Sequence, residues 1–321
     1  MNNREAPSTE RFRPERRVLL ANPRGFCAGV VRAIEAVERA LIEFGAPVYV
    51  RRPIVHNRTV IERLEALGAV FVSELADVPK EAIAILSAHG VAPSIWREGR
   101  DRRLNLIDAT CPLVAKVHGE VATHFRAGRH ILLIGHKDHP EVIGTVGQVP
   151  SGSISVVSTP QDVARLAMPA SRNCAYAVQT TFSVRDAETI VVAIRERFSN
   201  VAGPRASNIC YATTNRQAAI EQIARESDCV LVVGDATSSN ANRLVDVARA
   251  AGCPEAALIR DGRDLDWAMI ERARTVGLTA AASTPDSSVK DVCDALGQNG
   301  FAIVEVGGIR ETASFKPVAM T

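Results

Sequence analysis

Three of the seven cysteines occupy corresponding positions in a weak internal repeat. Cys27, Cys111 and Cys210 each stand directly before a stretch in which apolar residues recur every three or four positions, which predicts that each thiol lies where a helix begins. Thiolates that come singly from distant parts of a chain do not form a zinc ribbon, whose ligands come in close sequence pairs. Three such thiolates suit a cubane 4Fe-4S cluster with one iron open to a further ligand. A helix N-terminus is expected to lower the pKa of each thiol and to stabilise a negatively charged cluster.

The other four cysteines, Cys174, Cys229, Cys253 and Cys293, have no partners in the repeat. A free cysteine is most often a small buried apolar residue, so we interpret these four as packing residues. The odd total of seven and a reducing compartment both disfavour structural disulfides.

Polar residues follow the predicted strands at regular distances from the three cysteines. His56, His139 and Ser238 lie 29, 28 and 28 positions after the preceding cysteine of the repeat. A second strand in each repeat ends in another small polar turn, which contains His89, Thr180 or Ser283. Because ligands of open parallel sheets bind at the carboxyl ends of the strands, we expect all these side chains to face one cavity.

The repeat predicts an α/β fold of three similar domains, each with a short, mainly parallel sheet covered by helices on both faces. A pseudo-threefold trefoil arrangement would bring the three thiols together around a central cluster. The predicted segments are a disordered extension at residues 1–16 and domains at residues 17–111, 112–206 and 207–321, the last with a C-terminal tail. The extension is rich in Arg, Glu and Pro and has too few apolar residues to order itself.

The composition narrows the class of protein further. Apolar residues make up 46% of the chain and aromatic residues only 4%, so the core must be built mainly from Val, Leu, Ile and Ala. The net charge is only +2, because 38 basic and 36 acidic residues are mixed along the chain. This argues against an extended nucleic-acid-binding face. No apolar run is long enough to span a membrane, and the start of the chain has no signal-peptide core, so we expect a cytoplasmic protein without a membrane partner.

Six of the polar loop residues could bind an anion. A cage of imidazole and hydroxyl donors at helix N-termini can hold a diphosphate, whose charge strengthens each hydrogen bond. The candidate donors are His56, His89, His139, Ser238, Asn240 and Ser283. The alternative is that Ser238, Ser239 and Ser283 cap helices and that the histidines fill polar loops. Capping and ligand binding are compatible at such positions, so both interpretations stay open.

Glu141 lies two residues after His139, at the predicted start of a helix. A carboxylate in that place is commonly a solvated first-turn residue that complements the helix dipole. In a cavity beside a metal cluster it would instead be the one obvious proton donor among these loops, and it could protonate a leaving hydroxyl.

With these residues in place, the chain resembles the LytB/IspH family, the 4-hydroxy-3-methylbut-2-enyl diphosphate reductases of the non-mevalonate isoprenoid pathway. The matching stretches run in order from about Val18 to Asp286. They are ANPRGFCAGV, VHN, SAHGV, DATCPLV, DHPEV, QTT, ICYATTNRQ, SSNANR and ASTPD, and the three cysteine contexts are highly specific.

The resemblance implies a trefoil around one 4Fe-4S cluster held by Cys27, Cys111 and Cys210. It implies that Glu141 is the proton donor, with Thr180 a second catalytic residue. The residues that it places around the substrate are His56, His89, His139, Thr180, Ser238, Ser239, Asn240 and Ser283. In such an enzyme the substrate hydroxyl binds the open iron and leaves as water after two electrons enter, and isopentenyl or dimethylallyl diphosphate is formed. The implied electron donor is a ferredoxin or flavodoxin.

Two other functional classes remain open from the residues alone. A non-catalytic iron-sulphur sensor would need the three cysteines but no proton donor. A redox-inert diphosphate hydrolase would use a divalent metal ion and contain no iron.

Overall fold

The computed structural model describes residues 16–320. The predicted disordered extension lies outside the described residues except for its last residue, Arg16, which begins the first strand. Thr321 also lies outside them.

The first two elements are β1 and α1, and a four-stranded sheet with its helices follows them. Their bounds are β1 (Arg16–Leu20), α1 (Ala28–Phe44), β2 (Val48–Arg51), α2 (Arg58–Ala66), β3 (Ala69–Val72), β4 (Ile83–Leu86), α3 (Pro93–Asp101) and β5 (Asn105–Asp108). The strand order in this first sheet is β3-β2-β4-β5, and every pair is parallel.

The second sheet repeats the plan. Its elements are α4 (Pro112–Arg126), β6 (His130–Ile134), α5 (Pro140–Val146), β7 (Ile154–Val157), α6 (Pro160–Ala164), β8 (Cys174–Val178), α7 (Val184–Arg197) and β9 (Val201–Ala202). The order is β7-β6-β8-β9, again parallel throughout.

The third sheet has five strands. The remaining elements are α8 (Tyr211–Ala224), β10 (Cys229–Val233), α9 (Ser239–Ala250), β11 (Ala256–Ile259), α10 (Trp267–Ile270), β12 (Thr275–Ala280), α11 (Asp286–Gln298) and β13 (Phe301–Glu305). The order is β11-β10-β12-β1-β13, with all neighbours parallel. The three similar units confirm the predicted α/β fold.

Strand β6 shows why these sheets are continuous apolar runs. Leu132 and Ile134 pack into the core beside α6 and α7, whereas Ile131 and Leu133 pack into the core beside α4. All four side chains are buried, and each contributes roughly 1.5–3 kcal/mol of burial free energy. A strand covered on both faces has apolar side chains on both, so it does not alternate apolar and polar residues. Its Leu and Ile side chains agree with the core composition that was predicted.

The position of β1 corrects the predicted first domain, residues 17–111. Val18 lies opposite Val276 of β12 on one side and Ile303 of β13 on the other, so β1 belongs to the third sheet. The first sheet instead begins at β2, against which Val37 and Ala40 of α1 are buried. The reason is physical: between β12 and β13 this apolar strand has a hydrogen-bonding partner on both sides, and Val18, Leu19 and Leu20 are buried. The other predicted boundaries stay predictions.

The C-terminal tail, residues 306–320, contains no helix or strand in the part of the chain that is described. It nevertheless ends in the core of the first unit, where Val318 and Met320 are buried with the α1 side chains. None of the described helices is long and apolar enough to cross a membrane.

Candidate active site

The three units meet at one cavity with about 720 Å³ of free space, its open mouth included. All of the predicted site residues line it. They are Cys27, His56, His89, Cys111, His139, Glu141, Thr180, Cys210, Ser238, Ser239, Asn240 and Ser283. The helix starts and strand ends predicted from the repeat are therefore brought together in space.

Each of the three cysteines is the N-cap residue of a helix, as the spacing predicted. Cys27 precedes α1, Cys111 precedes α4 and Cys210 precedes α8. Gly29 shows how close two of the thiols are: a Cβ atom there would lie 2.7 Å from Sγ of Cys111 and 3.8 Å from Sγ of Cys27. Both sulphurs thus lie close to one backbone position that has no room for a side chain.

The predicted effect of the helix N-termini on the thiols is corrected by the structure. Burial raises the pKa of Cys111 to about 11, although backbone N–H groups of the α4 N-terminus act in the opposite direction. Burial, with Cys27 nearby, raises the pKa of Cys210 to about 12. At both thiols, loss of solvation therefore raises the pKa more than the N–H groups at the helix start lower it. A bound cation is what would make these thiols give up their protons.

Among residues 16–320, no group of three or more His, Cys, Asp or Glu side chains is placed to hold a single metal ion. Three single thiols are a ligand set that suits a polynuclear cluster, whose metal atoms can each take one protein ligand. The donor set, three thiols without a carboxylate or imidazole among them, is also that of an iron-sulphur cluster.

Three histidines form one wall of the cavity. The ring centroids of His56 and His89 are 4.3 Å apart, and that of His139 is 5.5 and 5.8 Å from them. Burial lowers the pKa of all three, and for His139 it lowers the pKa to about 3, with His56 and His136 adding to the effect. At neutral pH the three rings are uncharged, so each offers one N–H donor.

A second group of cavity residues, which lies around the start of α9, combines helix capping with unused donors. Ser238 caps α9, and its Oγ accepts a hydrogen bond from Ala241 N at 3.2 Å. Asn240 Oδ1 accepts one from Ala282 N at 3.0 Å, whereas its Nδ2 is buried without a partner in the described chain, as is His56 Nε2. Ser283 caps no helix, because its Oγ donates to the His56 carbonyl at 2.9 Å. These two buried nitrogens line the cavity, so both are free to bind a polar ligand there.

Glu141 and Thr180 form a buried pair. Glu141 Oε1 accepts a hydrogen bond from Thr180 N at 2.6 Å, and Oε2 accepts one from Thr180 Oγ1 at 2.7 Å. Burial raises the pKa of Glu141 to about 7 in spite of both hydrogen bonds. Glu141 does lie in the first turn of α5, but the alternative of a solvated residue is wrong, since only 2% of this residue is exposed.

Besides apolar lining residues, sequence reasoning missed two threonines and one glycine of the cavity. Thr181 Oγ1 contacts Ser239 Oγ at 3.5 Å, and Thr213 Oγ1 lies 3.2 Å from Cys210 Sγ. The third is Gly29. The QTT stretch pointed to Thr181, and Thr213 lies three positions after Cys210, on the same side of α8.

The cavity histidines predict acid sensitivity in the metal-free protein. His139 binds its proton with a pKa of about 3 when folded and 6.5 when unfolded, so stability is lost as the pH falls from 6.5 towards 3. His139→Asn keeps an N-cap acceptor and removes this titration. Between pH 7 and pH 4, we expect the free energy of unfolding to fall by about 3 kcal/mol less in the variant than in wild type. Urea midpoints at the two pH values measure this, and a difference independent of pH would contradict it.

Comparison with known proteins agrees with these features. Residues 18–297 match the family described as LytB protein. The chain is 50% identical over 305 residues to the 4-hydroxy-3-methylbut-2-enyl diphosphate reductase of Phenylobacterium zucineum, covering 95% of this chain and 97% of that protein. It is 46% identical over 308 residues to 4-hydroxy-3-methylbut-2-enyl diphosphate reductase 1 of Bradyrhizobium diazoefficiens, covering 95% and 96%.

Solved structures show the same relationship. The E-1-hydroxy-2-methyl-but-2-enyl-4-diphosphate reductase from Plasmodium falciparum superimposes with a TM-score of 0.90 at 38% sequence identity, covering 95% of this chain and 96% of that one. With its cysteine contexts, its three parallel sheets and these relatives, the chain belongs to the LytB protein family.

Proposed function

We propose that this protein is a 4-hydroxy-3-methylbut-2-enyl diphosphate reductase. The substrate takes up two electrons and two protons, its C–O bond breaks, water leaves, and isopentenyl or dimethylallyl diphosphate is formed. The observation that carries the proposal is that three thiols, a set of diphosphate donors and a buried carboxyl group line the same cavity.

Cys27, Cys111 and Cys210 would hold one 4Fe-4S cluster in each chain. When bound, such a cluster supplies electrons one at a time and a Lewis-acidic iron. The thiols fit this group because all three lie at helix N-termini and line one cavity. Thiols also speak against a hydrolase with Mg²⁺ or Mn²⁺, since these ions prefer oxygen ligands.

The histidine wall and the α9 N-terminus would bind the diphosphate. The unpaired His56 Nε2 and Asn240 Nδ2 are the first donors available to its oxygens. The other proposed binding groups are His89, His139, Thr180, Ser238, Ser239 and Ser283. Hydrogen bonds to a charged group are about twice as strong as neutral ones, so binding at this end orients the hydroxyl end towards the thiols.

Glu141 would supply a proton to the departing hydroxyl. With a pKa of about 7, a substantial fraction of this carboxyl group carries a proton at neutral pH. Thr180 holds both carboxyl oxygens and so fixes the direction in which the proton is delivered. A sensor without catalytic activity would have no use for this pair. The electrons would come from a ferredoxin or flavodoxin in the cytoplasm.

The test is to purify the full chain without oxygen and to measure iron, sulphide and turnover. We expect about four irons per chain and conversion of 4-hydroxy-3-methylbut-2-enyl diphosphate when a chemical reductant is present. Colourless, iron-free protein that releases phosphate would overturn the proposal in favour of a hydrolase. Brown protein without turnover would favour a sensor.

Gly29→Ala should weaken iron binding without unfolding the protein. The new Cβ would lie 2.7 Å from Sγ of Cys111, and the contact is relieved only by turning that thiol away. Groups that orient metal ligands typically change metal affinity by about 10–100-fold, so we expect a loss of about tenfold. Gly119→Ala in α4 is the matched control, because a Cβ there meets nothing within 4 Å. Equal iron affinity of the two variants, measured by competition with a chelator, would refute the expectation.

A further inference from the structure

Arg216 is a fully buried charge beside the cysteine site. It lies in α8, six positions after Cys210, and 0% of it is exposed. Its Nε and Nη2 donate to the carbonyl oxygen of Gly25 at 3.2 and 2.7 Å, and Nη1 donates to Ala212 O at 3.0 Å. Because Gly25 lies two positions before Cys27, one side chain connects the backbones that carry two of the three thiols.

The counter-ion of this arginine comes from the C-terminal tail. Glu311 Oε1 lies 2.9 Å from Nη1 of Arg216, and Oε2 lies 3.3 Å from its Nη2. Asn215 Nδ2 also donates to Glu311 Oε1 at 3.1 Å. The Glu311 side chain is only 15% exposed. A bidentate, mostly buried carboxylate holds the planar guanidinium in one orientation.

The rest of the tail is fastened to the first unit. Arg32 Nε donates to Lys316 O at 2.9 Å, and its Nη1 donates to Thr110 O, the residue before Cys111. Arg39 Nη1 donates to Val318 O at 2.9 Å. The tail therefore runs from β13 of the third unit, past the buried arginine, to α1 of the first.

We infer that Glu311 is a positioning residue for the cysteine site. It fixes Arg216, and Arg216 fixes the Gly25 carbonyl, so the backbones before Cys27 and around Cys210 keep their relative places. Removal of Glu311 leaves a buried positive charge without its partner, which is far more damaging than loss of an exposed ion pair. The inference rests on the proposed function, because it requires that the three thiols hold the proposed cluster.

The test compares three variants of the full chain, loaded anaerobically with iron and sulphide. Glu311→Gln is expected to lose iron to a chelator about tenfold faster than wild type and to change the paramagnetic spectrum of the reduced cluster. Glu311→Asp keeps the charge and should restore at least part of the retention. The control is Glu305→Gln, which breaks the neighbouring pair with Arg24 at 2.7 Å, because Glu305 is 63% exposed.

A second measurement needs no variant. If the tail and the cysteine backbones are coupled, loading the cluster must raise hydrogen-exchange protection of residues 306–320 in the wild-type protein. Unchanged protection of the tail, or Glu311→Gln protein that keeps iron and spectrum like wild type, would overturn the inference. Wild-type protein that binds no iron at all would instead overturn the proposed function.

Discussion

Replacement of Glu141 by Gln is expected to lower turnover by about 10²–10⁴-fold while the protein keeps its iron. Glutamine has nearly the same shape, its oxygen can still accept from Thr180 N, and its amide can donate to Thr180 Oγ1. The variant therefore retains the packing and loses only the proton that the carboxyl group carries. KM should change far less than kcat, since the diphosphate is bound by other residues.

Glu120→Gln is the matched control for this experiment. The Glu120 carboxylate also accepts a buried side-chain donor, Asn208 Nδ2 at 2.6 Å, but it does not line the cavity. Turnover of Glu141→Gln within a few-fold of this control would remove Glu141 from the mechanism. Loss of iron in Glu141→Gln alone would assign the residue to cluster retention.

The repeat made the site predictable from the sequence. Cys27, Cys111 and Cys210 were expected at helix starts, and all three are N-cap residues. The near-constant distance from each cysteine to His56, His139 or Ser238 reflects one helix of 14–17 residues and one strand of 4–5 residues. Since equivalent elements of similar units occupy equivalent places, corresponding residues meet at the same cavity.

Contacts between distant segments could not be predicted in this way. Pairing of β1 with β12 joins residues about 258 positions apart, as for Arg17 and Thr275, and no local pattern identifies such a partner. The ion pair of Arg216 with Glu311 also joins distant segments, so no local pattern predicts it either. The raised pKa of Cys210 was missed because burial, which depends on the whole fold, exceeds the local effect of the helix N-terminus.

Cys210→Ser is expected to abolish turnover and to remove most of the iron. The Cys210 side chain faces the cavity where α8 begins, and a serine hydroxyl, which does not form a thiolate, is a poor ligand for cluster iron. The metal-free variant should unfold close to the wild-type temperature, because the side chain lines a cavity rather than a packed core and Thr213 Oγ1 can still bond the hydroxyl. Iron analysis, the visible spectrum and a thermal melt measure the three effects.

Which cysteines can be replaced by Ser without loss of iron and turnover decides whether a shared cluster explains that loss. Cys27→Ser and Cys111→Ser should have the same effects as Cys210→Ser, because each substitution removes one ligand of the same cluster. Cys293→Ser is the control: Cys293 is half-buried on α11, outside the cavity, so it should keep both iron and turnover. Four irons and full turnover in Cys210→Ser would remove that residue from the cluster. Iron loss of the same size in Cys293→Ser would mean that the loss reflects general fragility of the fold rather than ligation by three thiolates.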